Sequence, residues 1–272
     1  GTLMAGILYQ QDSFDSQDAD NWAVFFHGVF SLTDQLSLTA GVRYTDDEKV
    51  ALISRHNFNG TDRLPVPGFT TQTSPGTVIV DEDKVSPTVG IDYQMNENLL
   101  LFALYSTGFR GGGFSPRPSN GLQLAPFLSE ELENFEVGMK SELADNSLRL
   151  NANLFFSPYT DQQVFLGTTD ASGAIWFHQT NSGKSEYMGV EVETQWRPGD
   201  SFALDSAIGY IDHELIDPGV ANTCITFANG DPCYSTRTPE WTFALGGLSA
   251  FHLCDGGVLT AQTGREARRI AT

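Results

Sequence analysis

The strongest constraint on the fold is a period of two. Residues 36–44, LSLTAGVRY, put Leu36, Leu38, Ala40, Val42 and Tyr44 on one face and Ser37, Thr39, Gly41 and Arg43 on the other. In residues 147–156, SLRLNANLFF, Leu148, Leu150, Ala152, Leu154 and Phe156 oppose Ser147, Arg149, Asn151 and Asn153. Successive side chains of an extended chain point to opposite sides, so this alternation marks strands with one apolar and one polar face. It recurs at Val85–Tyr93, Phe135–Lys140, Val190–Trp196, Phe202–Tyr210 and Trp241–Gly246; near the start, Trp22, Val24, Phe26 and Phe30 oppose His27. The segment 98–109 departs from the pattern, because Leu100, Phe102 and Leu104 make both of its faces apolar. Helical periodicity is nearly absent. The sequence predicts about ten strands, with a further one near 257–263.

The connections carry a second signal. Short turns rich in Asn, Asp, Gly and Pro lie at 33–35, 96–98, 144–146 and 197–200, and LCDGG near 255 has the same character. Such residues suit tight hairpins. Long polar connections fall between them, near 47–83, 110–130, 167–184 and 212–237. The unit is therefore long loop, strand, short turn, strand, repeating about every 50–60 residues. A propeller blade of similar period would need four shorter strands and a recurring motif, and neither is seen.

No run of apolar residues is long enough for a transmembrane helix, but a spanning strand needs only about 9–11 alternating residues. Alternation alone also fits a soluble sandwich, whose apolar faces meet in a core. Three features favour a membrane barrel. The polar faces carry charges well inside strands: Arg43, Glu136, Lys140, Arg149, Glu191 and Glu193. Aromatics gather at the ends of apolar faces: Trp22, Tyr44, Tyr93, Tyr105, Trp196, Tyr210 and Trp241. Short turns alternating with long loops match the unequal rims of outer-membrane barrels. The predicted fold is all-β, an antiparallel transmembrane β-barrel. Backbone in lipid must be fully paired, so about ten strands are expected to be part of a larger closed structure. A net charge of −19 argues against a nucleic-acid partner, which calls for a basic face.

Five segments then carry a resemblance: LSLTAGVRYTDDEK (36–49), LYSTGFRGGGFSP (104–116), ELENFEVGMKSELADNSLRLNANLFFSPYTDQQV (131–164), GVEVETQWRP (189–198) and TPEWTFALGG (238–247). Taken in this order they resemble the barrel of TonB-dependent outer-membrane receptors. The resemblance implies a plugged barrel of roughly 22 strands. It also implies energising contact with the TonB complex through a plug and box absent from this sequence, and no enzymatic step. The implied cargo is a large scarce ligand, with an iron–siderophore complex first and cobalamin or an oligosaccharide after it. Outer-membrane lipid and lipopolysaccharide are the implied surroundings, and no cofactor is called for. A passive porin-like channel, an outer-membrane enzyme and a soluble binding module stay open as other readings. Residues 1–264 are assigned to the barrel. The basic stretch 265–272 lacks alternation and is expected to lie outside it, as a truncation or frame-shift product; both ends read as cut.

Candidate sites are few. The run Arg110-Gly111-Gly112-Gly113 invites a phosphate-loop reading, but it lacks the GxxxxGK[ST] spacing and a following helix. Strand exit fits better, with glycine easing the turn into an outer loop. Arg110 falls on the lumen-side register and is the candidate for ligand contact, a wall or solvated charge being the plainer account. Trp176 and His178, flanking Phe177, could stack on a ring-bearing ligand; an aromatic cluster at the membrane edge is the alternative. Asp12, Asp15, Asp18 and Asp20 are expected in one acidic loop, and 46–48 with 81–83 extend an acidic rim. Their spacing does not match a calcium loop, and the scattered histidines form no zinc motif, so no metal site is predicted. Cys224 and Cys233 bracket a polar stretch and are the candidate pair for a disulfide closing a surface loop.

Overall fold

The structure, a computed structural model, describes residues 9–59, 64–65, 76–115, 121–169, 175–217, 239–252 and 258–270. Ten long strands form one antiparallel sheet in which each pairs with its neighbour along the chain path. They are β1 (Tyr9–Ser31), β2 (Leu36–Asn59), β4 (Gly76–Asn96), β5 (Leu99–Arg110), β6 (Glu130–Leu143), β7 (Leu148–Thr160), β10 (Lys184–Gly199), β11 (Phe202–Asp217), β12 (Pro239–His252) and β13 (Val258–Ile270). The short β3 (Leu64–Pro65) adds to β2, while β8 (Gln163–Thr169) and β9 (Ile175–Asn181) form a separate hairpin. One helical turn, α1 (Gly121–Leu124), lies between β5 and β6. The sheet is part of a barrel wall.

The four predicted tight turns that fall in the described region all join neighbouring strands. At 33–35 the Thr33 hydroxyl accepts the backbone N–H groups of Gln35 and Leu36 at 3.2 and 3.0 Å. At 96–98 the Asn96 side-chain oxygen accepts the Asn98 N–H at 2.9 Å. Ala144, Asp145 and Asn146 take left-handed φ values of 51°, 52° and 65° to reverse β6 into β7. The proposed turn near 255 and the pair Cys224 and Cys233 lie outside the described residues.

The alternation places the apolar residues outward. Val24, Leu154 and Leu245 are more than half exposed, at 63%, 56% and 54%. A continuous apolar exterior of this kind is the surface a lipid bilayer covers. Rings pair along its outer margin: Trp22 with Tyr44 at 5.4 Å, Tyr105 with Phe135 at 4.9 Å, and Tyr210 with Trp241 at 4.7 Å. Trp196 and Phe202, 5.8 Å apart, mark the turn side.

Two expectations are corrected. Residues 12–20 are not a loop: they belong to β1, which pairs with β2 from Tyr9↔Asn59 down to Ser31↔Ser37. The stretches 46–48 and 81–83 are likewise strand, facing each other as Asp46↔Asp83, Asp47↔Glu82 and Glu48↔Asp81. Above the bilayer no lipid imposes an apolar face, so main-chain pairing continues where the apolar pattern stops. The C-terminal stretch is not wholly outside the sheet either. Arg265–Ile270 extend β13 and pair with β12, Arg265 opposite Leu245 and Arg269 opposite Trp241.

Candidate functional site

Two ladders end at different heights, and this opens the wall at its outer end. β4 pairs with β5 only as far as Thr88↔Ser106, whereas β5 stays on β6 through Arg110↔Glu130. Beyond Thr88, β4 continues on β2. Lys84 reaches across the split to the Glu131 carboxylate. The chain leaving β5 folds against the inner side of the β2–β4 extension, where Asp47, Lys49, Val80 and Glu82 share one face by register.

The glycine run makes that approach possible. A Cβ on Gly111 would stand 2.6 Å from the Asp47 carboxylate, and one on Gly112 would stand 2.5 Å from the Phe127 carbonyl oxygen. Real Cβ atoms do not approach so closely, so the run is a close-packing device. Lys49 donates to Asp47 at 2.6 Å and to the Gly112 carbonyl at 2.8 Å. The Glu82 carboxylate accepts the Gly112 N–H at 2.8 Å and the Ser129 N–H at 2.7 Å. Gly113 and Phe127 exchange backbone bonds of 2.9 Å. Beneath this polar layer Ala51, Ile53 and Val78 form a small buried core, covered by Phe114 and Leu124.

The β8–β9 hairpin joins the same assembly. The Gln163 side-chain amide nitrogen lies 3.3, 3.0 and 3.1 Å from the carbonyl oxygens of Arg110, Gly111 and Leu128. Its backbone N–H donates to Glu130 at 2.6 Å. Asn181 donates to the carbonyls of Leu128 and Asp161 at 2.8 Å each, and accepts the Leu128 N–H at 2.6 Å. Glu130 is almost fully buried, and Arg110 approaches it at 3.5 Å. Tyr159 lies beyond the outer aromatic margin, three residues past Phe156. Burial raises its phenol pKa above the ordinary value, and its hydrogen bond to Glu130 adds to the rise. Its ring leads to Tyr187 at 6.2 Å, and Tyr187 meets His213 at 4.5 Å in a tilted contact, giving a row of rings on the inner wall.

Further in, the lumen face mixes charge with flat apolar surface. Arg149 donates to Glu142 at 2.7 Å. Phe102 lies across Gly138, where an added Cβ would sit 2.7 Å from its ring, and Lys140 stands over the same ring at 5.6 Å. This is where the second apolar face of 98–109 goes: Leu100, Phe102 and Leu104 line the lumen wall opposite Lys140, Gly138 and Glu136.

Of the residues singled out in the sequence, Arg110 sits at the end of β5 with a 68% exposed side chain. Its backbone is part of the loop assembly. His178 pairs with Leu166, on the hairpin face opposite Gln163 and Asn181, and the Trp176 backbone pairs with Thr168. The Trp176 side chain lies outside the described residues. The sequence reading missed Gln163 and Asn181, which carry no motif, and Glu82 and Glu130, which are hidden among acidic neighbours. Among the described residues, no group of three or more His, Cys, Asp or Glu is arranged to hold a metal ion.

Comparison with known proteins decides the family. A sequence model described as TonB dependent receptor-like, beta-barrel, matches residues 2–263. The chain belongs to the TonB-dependent receptor β-barrel family. Its wall is therefore that of an outer-membrane protein of a Gram-negative bacterium. The chain is 26% identical over 192 residues to the pesticin receptor of Yersinia enterocolitica, covering 70% of this chain and 26% of that one. It is 26% identical over 180 residues to the ferric-pyoverdine M114 receptor PbuA of a Pseudomonas strain, covering 65% and 21%. The crystal structure of the ferric yersiniabactin uptake receptor FyuA from Yersinia pestis superposes with a TM-score of 0.70 at 20% identity, over 94% of this chain and 35% of that one. This part of a receptor barrel thus spans about a quarter of the length of the curated relatives it matches.

Proposed function

We propose that this barrel segment belongs to an outer-membrane receptor that takes up an iron–siderophore complex at the expense of energy delivered by TonB. The observation that carries the proposal is the similarity to receptors named for pesticin and ferric pyoverdine. The assembly at the outer mouth supports it, because a receptor that captures a scarce ligand needs ordered surface there. In this reading the outer loops and inner wall bind and orient the cargo without covalent chemistry, and the receptor is not an enzyme. A lumen-filling domain and a TonB-contacting segment belong to the rest of the receptor. Outer-membrane lipid and lipopolysaccharide cover the apolar exterior and its acidic margin. Arg110, Trp176 and His178 are proposed contacts for ligand.

The test is uptake of radio-iron presented on a panel of siderophores by a receptor-deficient strain carrying the full gene, with and without a working TonB. Saturable, TonB-dependent uptake of one siderophore class is expected. Uptake that is unsaturable and indifferent to TonB would replace the proposal with a passive channel.

A further inference from the structure

We infer that Gln163 and Asn181 are positioning residues that make the loop between β5 and β6 and the β8–β9 hairpin a single mechanical unit at the outer mouth. The two segments are far apart in sequence and have separate hydrogen-bonded frameworks. The loop is anchored to β2 through Lys49 and to β4 through Glu82, and the Gly113–Phe127 bridge closes it on itself. The hairpin forms its own two-stranded sheet. The loop's helical turn α1 packs near β9, and two side chains supply the hydrogen bonds that tie the segments together. Gln163 reaches the carbonyls of Arg110, Gly111 and Leu128, and Asn181 both donates to and accepts from the Leu128 backbone.

Two further ties pass through the hairpin base. Glu130, at the start of β6, takes the Gln163 N–H. The Ser185 hydroxyl donates to Gln162 at 2.7 Å, fixing the base to β10. An amide side chain is suited to this task because it satisfies backbone donors and acceptors without adding charge. Asn181 pairs with the Leu128 backbone on both sides, so moving the loop off the hairpin breaks both bonds at once and hands the exposed groups to water. A displacement of either segment is therefore transmitted to the other. The inference does not depend on what the receptor carries.

The experiment is amide hydrogen exchange on the full-length receptor in detergent, without ligand, comparing wild type with Asn181→Ala and Gln163→Glu. Thr180→Ala, on the other hairpin face, is the control. Losing two or three bonds should speed exchange about tenfold or more in both the 111–115 and 125–129 segment and the 161–165 and 178–183 segment. Strands β6 and β7 should keep their protection, and the control should match wild type. Gln163→Glu removes the amide donor while keeping size, so it gives the answer if Asn181→Ala fails to fold. Faster exchange confined to one segment, or in neither, would overturn the inference.

Discussion

Replacing Gly112 by alanine should release the outer loop while leaving the barrel intact. The added Cβ would meet the Phe127 carbonyl at 2.5 Å, Glu82 Oε2 at 2.8 Å and Val80 Cγ1 at 3.0 Å. None of these yields easily. The region around Phe127 is held by its two bonds with Gly113, Glu82 also binds Ser129, and Val80 is buried. The loop must therefore move, and it forfeits the Gly112 N–H to Glu82 and the Lys49 ammonium to Gly112 carbonyl bonds. Each is charge-assisted and part-buried, and such a bond contributes about 1.5–3 kcal/mol. Allowing for relaxation, the local opening free energy should fall by roughly 3 kcal/mol, a factor of roughly 100 in the open population.

Ser129 reports that population, because it is buried and donates its N–H to the same carboxylate. A Ser129→Cys receptor, with the native cysteines replaced, should react with a maleimide about 100 times faster once Gly112→Ala is added. Gly108→Ala is the matched control, since nothing lies within 4 Å of the Cβ it would gain. It should leave labelling within about twofold of the parent. Equal labelling in the two glycine variants would refute the close-packing account of the run.

Other outcomes follow from the two-sided wall and from its outer margin. Leu154→Arg faces lipid near mid-strand and should cost about 2–4 kcal/mol in refolding into bilayers, whereas lumen-facing Asn153→Arg should cost much less. Equal costs would contradict the assigned faces. His213 lies three residues beyond Tyr210, where burial lowers its pKa below 6.5, with Asp212 opposing the shift. Its neutral form is the one favoured by folding. The associated stability is present above the unfolded value and is lost as pH falls through the folded value. A proton-NMR titration midpoint for the His213 ring at or above 6.5 would refute this. Cys224 and Cys233 are expected to yield a disulfide-linked peptide on non-reducing digestion, and recovery of both as alkylated thiols would count against the pair.

The wall was legible in the sequence because lipid imposes a rule on every second residue. Leu148 to Phe156 could be read as a strand, with its lipid face, before any coordinates. Where that rule lapses, prediction lapses with it. Asp12 to Asp20 and Asp46 to Glu48 lie in strand extensions where no lipid selects an apolar face, so polarity carries no trace of pairing there. The ties at the outer mouth were unreadable for a different reason. Gln163 and Asn181 act on backbone groups, and any main-chain carbonyl can accept from an amide whatever residue bears it. The glycine run is visible in the sequence, but its three-dimensional cause, the approach to Asp47 and Phe127, depends on neighbours remote in sequence.

The C-terminal strand shows the opposite case, pairing without a supporting pattern. The β12–β13 register sets Arg265 beside Leu245 on the outward face, where a guanidinium at mid-bilayer costs about 2–4 kcal/mol. Main-chain pairing favours the strand nonetheless, because unbonded backbone in lipid costs several kcal/mol per group. Side-chain alternation and backbone pairing are thus separable determinants of a barrel wall. The first selects which face meets lipid, and the second keeps the chain in the sheet. From β2 to β12, apart from the apolar lumen face of β5, they agree within the bilayer. In residues 265–270 they part: the chain pairs with β12 without alternation, because alternation reports on lipid compatibility rather than on whether the chain can pair. A substitution that restores compatibility, Arg265→Leu, should therefore stabilise β13 in bilayers without altering its register. Scanning cysteine pairs between β12 and β13 would read the register, and a shift of one residue would show that side-chain pattern, not backbone pairing, holds this strand in place.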